Sequence, residues 1–274
     1  MKKTKIPFSS IATDSEFQSK INCRVTPIGL VIEDINGNRR FYIHPNASPR
    51  VLKKARQVGH KIFEYDFAIL DFLKDVYGYN VKNLNGTESL KNLKCVDIHI
   101  FWSFKDLEFL FAKKEDYVNL LLNKLERTRR IRIDNECHTS NGLIRGNSVS
   151  LPYAVQLPDN SNNGKNRWFK ISIIISDISA MQGNASLKEY ASNVGIAMTD
   201  KETYTALQKA IMEEMYIDNP FKFERYTKGD GLLIEIKKKT TEFYNHIAEL
   251  IGIEKRDNWG MSTGKIVASI LNDW

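Results

Sequence analysis

Cysteine is scarce in this 274-residue chain, with only Cys23, Cys95 and Cys137. Their spacing makes neither a zinc pair nor a disulfide framework, so we read three reduced thiols in a reducing compartment. Long apolar runs are missing as well. No stretch approaches the ~20 residues of a membrane span. The basic start Met1-Lys2-Lys3-Thr4-Lys5 runs into Pro7 and two serines, where a signal peptide would turn apolar. We therefore expect an intracellular, cytoplasmic protein with no membrane partner. Acids are outnumbered: 33 Asp and Glu against 40 Lys and Arg leave a formal charge of +7. That balance favours polyanion partners, because neutralising phosphates releases counterions. Walker, Ser-His-Asp and Gly-rich dinucleotide patterns are lacking, as are internal repeats.

What is present suits a globular α/β chain. An apolar fraction of 42 % is enough for a core that needs no disulfide or structural metal. Strands are expected at 9–17, 28–32 and 40–43, with Asn36-Gly37 as a hairpin signal between the second and third. Apolar residues at helical spacing predict a helix over 51–77. The segment 80–92 is polar and turn-rich, 93–101 reads as a buried strand, and 106–125 as a helix. The stretch 127–164 carries Arg127, Arg129, Arg130 and Arg132 and then a Gly/Asn/Ser-rich loop, so it reads as an irregular or hairpin-containing insertion. A strand at 168–175 follows, then helices at 186–194, 202–216 and 232–251. The expected architecture is one domain over 1–274: three antiparallel strands, then parallel strands, in a mixed sheet flanked by helices.

Three acidic positions could carry chemistry. In Asp14-Ser15-Glu16, residues two apart on a strand face one side, giving a pair of carboxylates suited to a hard divalent ion; an exposed acidic strand end is the plainer alternative. Asp106 follows a strand and opens an apolar helix, where an Asp is commonly an N-cap. Asp97 competes with it. In Tyr226-Thr227-Lys228-Gly229-Asp230 a helix would put Tyr226 and Asp230 on one face, whereas Lys228-Gly229-Asp230-Gly231 read locally is a turn.

The order Asp14-x-Glu16, Asp106 after a strand, then Tyr226-x-x-x-Asp230 resembles the three motifs of the DEDD superfamily of 3′–5′ exonucleases, tyrosine branch, the type found as the proofreading domain of DNA polymerases. Ser186-Leu187-Lys188-Glu189-Tyr190-Ala191 followed by Gly195-Ile196 is similar to the family's stretch between motifs two and three. The resemblance implies an RNase H-like core and a metal-dependent nuclease that hydrolyses DNA from single-stranded or frayed 3′ ends, releasing 5′-nucleotides. It implies two Mg²⁺ or Mn²⁺ ions roughly 4 Å apart. Asp14, Glu16 and Asp230 would hold one, and Asp14 with Asp106 the other. Tyr226 would orient the attacking water, since a phenol with a pKa of about 10 is a poor base at neutral pH. The polymerase body would then lie C-terminal to this chain.

Phe17 is expected either in the core or against the terminal nucleotide. Arg127, Arg129 and Arg130 either track a phosphate backbone or form a solvated face. Two other functions stay open. One is an exoribonuclease, because these motifs do not separate DNA from RNA. The other is a catalytically inactive nucleic-acid-binding module of the same fold.

Overall fold

The computed structural model describes residues 10–19, 25–84, 93–100, 104–113, 148–158, 164–178, 186–198, 204–256, 259 and 263–273. Their architecture is mixed α/β. The chain opens with three strands, β1 (Ser10–Ser19), β2 (Val25–Asp34) and β3 (Arg39–Ile43), paired antiparallel in sequence order. The hairpin between β2 and β3 is held by the Asp34 carboxylate, which accepts from the backbone N–H groups of Asn36 and Asn38 at 2.9 and 3.0 Å. This is the local bonding that makes Asp a turn residue.

The helix expected over 51–77 is two helices. α1 (Pro49–Val58) starts at an N-cap Ser48 with Pro49 in the first turn and stops at Gly59, whose φ of 77° suits a residue without Cβ. The chain then crosses the sheet edge, where Ile62 bridges Ile43 and Phe67 bridges Phe111, before α2 (Ala68–Tyr77) begins. Helical spacing alone could not reveal this break, because Ile62, Phe63 and Phe67 in the connection keep an apolar spacing and are themselves buried or half-buried. The buried Asp71 carboxylate braces the crossing by accepting from the N–H groups of Glu64 and Tyr65, both at 3.0 Å.

A short edge strand β4 (Val81–Asn83) precedes β5 (Leu93–Ile100), which is followed by α3 (Phe104–Phe109). The helix expected over 106–125 is thus short in its described part. It ends because Phe111 leaves the helical path to bridge Phe67; residues 114–147 lie outside the described residues. The expected insertion contributes β6 (Ser148–Pro158), a strand that the Gly- and Asn-rich composition around it concealed, and β7 (Asn166–Asp177) runs back beside it. The seven strands form one sheet in the order β3-β2-β1-β5-β7-β6-β4. β5 pairs parallel with both β1 and β7, and β6 pairs antiparallel with β7 and β4.

The remaining elements are α4 (Leu187–Asn193), α5 (Ala206–Lys209), α6 (Met212–Asp218), α7 (Pro220–Lys228), a 3₁₀ turn (Gly229–Leu232), α8 (Leu233–Leu250) and α9 (Thr263–Asp273). Ser186 and Glu189 form the capping box that starts α4. Apolar clusters lie on both sides of the sheet. Ile11, Leu30 and Ile32 pack with Ile69, Leu70, Phe72 and Leu73 of α2. Ala12 packs instead with Tyr190, Leu233, Ile236, Trp259 and Ile266. A third cluster joins Phe41, Ile43 and Val51 to Tyr216, Phe223 and Tyr226. Alternation along β1 therefore sends Ile11 and Ala12 to opposite layers. Among the described residues no helix is long and apolar enough to cross a membrane.

Candidate functional site

Among the described residues β1 pairs with β5 from Ser10 to Ala12, and it continues along β2 to Ser19. The candidate acids of β1 sit beyond Ala12, on its upper half. Asp14 and Glu16 share the face of Ala12 by alternation. Asp14 is half-buried, whereas Glu16 is only 8 % exposed.

Ser15 carries the link to the second motif. Its backbone N–H donates to Asp106 Oδ1 at 3.1 Å, and its hydroxyl donates to the same oxygen in a short bond. Asp106 is 4 % exposed and lies in the first turn of α3. It spends its carboxylate on a strand 91 residues away where an N-cap would have served its own helix. Strand alternation marks Ser15 as a spacer between two acids, so the sequence carries no signal for this role. Register also separates Asp106 from its competitor. Asp97 is level with Ser10 in the parallel β1–β5 pair, four residues below Asp14, which is about 13 Å at the usual strand rise.

The third motif arrives on one helical path. Lys228, Gly229, Leu232 and Leu233 all have right-handed helical backbone angles, so α7 runs through the 3₁₀ turn into α8. The local turn reading of Lys228-Gly229-Asp230-Gly231 is therefore not what the chain adopts. Glycine can enter a helix at a cost of about 1 kcal/mol, and the tighter 3₁₀ geometry falls where the two glycines stand. This turn packs against β1 and β2, and α3, α6, α7 and α8 also touch β1. Tyr226 is buried, its ring centroid 4.7 Å from that of Tyr204. The side chain of Asp230 lies outside the described residues, as do Arg127, Arg129 and Arg130. Among the described residues, no three His, Cys, Asp or Glu side chains are gathered closely enough to hold a metal ion.

Several neighbours went unnoticed in the sequence. Gln18 ties the end of β1 to α6: its side chain donates to the Ala210 carbonyl at 2.8 Å and accepts from the Glu213 N–H at 3.1 Å. Gly29 is the cross-strand partner of Glu16. A Cβ there would stand 2.7 Å from the Tyr42 carbonyl oxygen and 2.9 Å from the Phe41 ring, so glycine is what lets the Phe41 ring lie against this strand. Phe17 is half-buried with its ring 5.7 Å from Phe109 of α3. Phe109 in turn meets the buried His44, 6.0 Å away and nearly perpendicular. His44 Nδ1 accepts from the Asn46 N–H at 3.0 Å, which leaves Nε2–H to donate to the Phe111 carbonyl at 3.2 Å. Burial pulls this imidazole down to about 4, and the Phe111 bond only partly opposes it. His44 thus fixes, as a neutral ring, the segment that carries Asp106.

Glu224 faces the opposite side of α7. The His60 ring, 3.4 Å away, and the Lys228 ammonium together hold its carboxyl down at about 2. Compared with family models, with curated proteins and with solved structures, the chain matches none.

Proposed function

We propose that this chain is a metal-dependent 3′–5′ exonuclease of RNase H-like type, acting on single-stranded or frayed DNA ends. The observation that carries the reading is the pair of hydrogen bonds from Ser15 to Asp106, which brings the second acid onto the strand residue between Asp14 and Glu16. The strand order β3-β2-β1-β5-β7, antiparallel in its first three members and parallel afterwards, supports the core type. So does the packing of the Gly229–Leu232 turn on β1, which brings the backbone of Asp230 toward the same strand.

The donor set is all carboxylate oxygen, which fits hard divalent ions such as Mg²⁺ or Mn²⁺. Asp14, Glu16, Asp106 and Asp230 would hold them. Such ions make a hydroxide available near neutral pH and neutralise charge on the phosphodiester. The protein's own part is pre-organisation. Ser15 fixes Asp106 through two donors to one oxygen, so that carboxylate does not have to be ordered when substrate arrives. The Tyr226 phenol orients the attacking water by a hydrogen bond and leaves proton removal to other groups.

The test is digestion of 5′-labelled single-stranded DNA with Mg²⁺, Mn²⁺ or EDTA. A ladder that shortens from the 3′ end, absent with EDTA and reduced at least ~100-fold in Asp14→Ala and Asp106→Asn, is the expected result. Intact substrate in all three conditions with folded wild-type protein would end the proposal. Matched RNA run alongside reads the sugar preference.

A further inference from the structure

Tyr204 drew no attention in the sequence, yet it stands beside the proposed site. Its side chain is 5 % exposed, and its hydroxyl is buried with no hydrogen-bond partner among the described residues. Buried tyrosine hydroxyls usually find one, because leaving the group unmet is unfavourable. The ring lies 4.7 Å from that of Tyr226, centroid to centroid. Two ammonium groups flank the ring pair: Lys222 Nζ is 4.9 Å from the Tyr204 centroid and Lys209 Nζ 5.7 Å from that of Tyr226. Burial pushes the Tyr204 phenol up to about 12, the Glu16 charge adds to the rise and Arg225 opposes it. The O–H is retained at neutral pH, as in any ordinary phenol. A buried donor with no acceptor among the described residues, in a ring pair flanked by the Lys209 and Lys222 ammonium groups, suits an anionic oxygen that arrives with a ligand.

We infer that Tyr204 is a substrate-binding residue whose hydroxyl donates to a phosphate oxygen of the terminal nucleotide beside Tyr226 of the proposed nuclease site. This assignment rests on the nuclease reading and adds to it a contact that the metal-ligand motifs do not contain. The same donor would serve a DNA or an RNA phosphate, since it addresses the oxygen and not the sugar.

Tyr204→Phe keeps the ring and removes only the hydroxyl. The probe is thymidine 5′-monophosphate with Mn²⁺, titrated calorimetrically into the full-length wild-type and variant proteins. The variant should bind at least ~10-fold more weakly, the usual scale for a hydrogen bond to a charged group. Its melting temperature without ligand should stay level or rise, because the deleted group has no partner among the described residues. A hydroxyl with a purely structural role would do the reverse, lowering the melting temperature and leaving the affinity alone, and that result overturns the inference. Cleavage separates the two claims. Unequal nucleotide affinities without any oligonucleotide shortening would remove the nuclease reading and leave Tyr204 as a phosphate donor. Equal affinities together with normal metal-dependent shortening would remove Tyr204 and leave the nuclease. A wild-type protein that binds no nucleotide would overturn both.

Discussion

Acidification should weaken the fold through His44, and the size of the effect follows from its surroundings. The ring is buried, accepts from the Asn46 N–H and donates to the Phe111 carbonyl. A second proton has no place, because it would point Nδ1–H at the Asn46 N–H. In the unfolded chain the imidazole titrates near an ordinary 6.5, and in the folded protein at about 4. Between those values the unfolded state binds more protons, so stability is full above about pH 6.5 and falls as the pH drops toward 4. The gap corresponds to roughly 3 kcal/mol lost by pH 4, with about half gone near pH 5.3. Urea unfolding at a series of pH values, on wild type and His44→Gln, isolates the contribution as the difference between the two curves. The variant starts less stable and should lose roughly 3 kcal/mol less on acidification. Parallel curves, or a His44 ring that titrates near 6.5 by NMR in the folded protein, would refute the reasoning.

Three further outcomes are expected. Gly29→Ala should destabilise by about 1–3 kcal/mol, read as a lower urea midpoint, because the new methyl would overlap the Tyr42 carbonyl and the Phe41 ring. Ser15→Ala removes a donor from the buried Asp106 carboxylate and should lower stability by about 1.5–3 kcal/mol; an unchanged midpoint would show that the hydroxyl does not hold that acid. Asn245→Ala deletes the acceptor of the Trp259 indole N–H at 2.7 Å and two bonds to the Arg256 backbone. It should cost about 1–3 kcal/mol, with a red shift in tryptophan emission as the buried Trp259 meets water.

Much of the sheet could be read from the amino acids, because β1, β2 and β3 alternate or run apolar between clear turn residues. β5 and β7 are apolar runs of strand length. The Asp14-x-Glu16 pair and Asp106 were singled out through their resemblance to a family pattern. What joins them was not. Ser15 bonds Asp106 across 91 positions, and a contact that distant in sequence is a tertiary matter. The split between α1 and α2 escaped notice because a glycine in a helical pattern is ambiguous until its φ is known. β6 escaped because its eleven residues carry Ser148, Ser150 and Pro152 and are bordered by polar loop residues, which masked the strand pattern. The continuous path from Tyr226 into α8 ran against local composition, and packing on β1 and β2 prevailed over two glycines.

Beyond its ladder with β2, the far end of β1 is tied to groups distant along the chain: Ser15 to Asp106 across 91 positions, and Gln18 to Ala210 and Glu213 across 192 and 195. Closing loops of that length is slow relative to hairpin and helix formation. During refolding, hairpin β2–β3 and the helices should therefore mature before this corner does. Recovery of any function housed there would lag behind the return of circular dichroism, and a chain cut anywhere between Ser15 and Glu213 would have to reunite its pieces before regaining it.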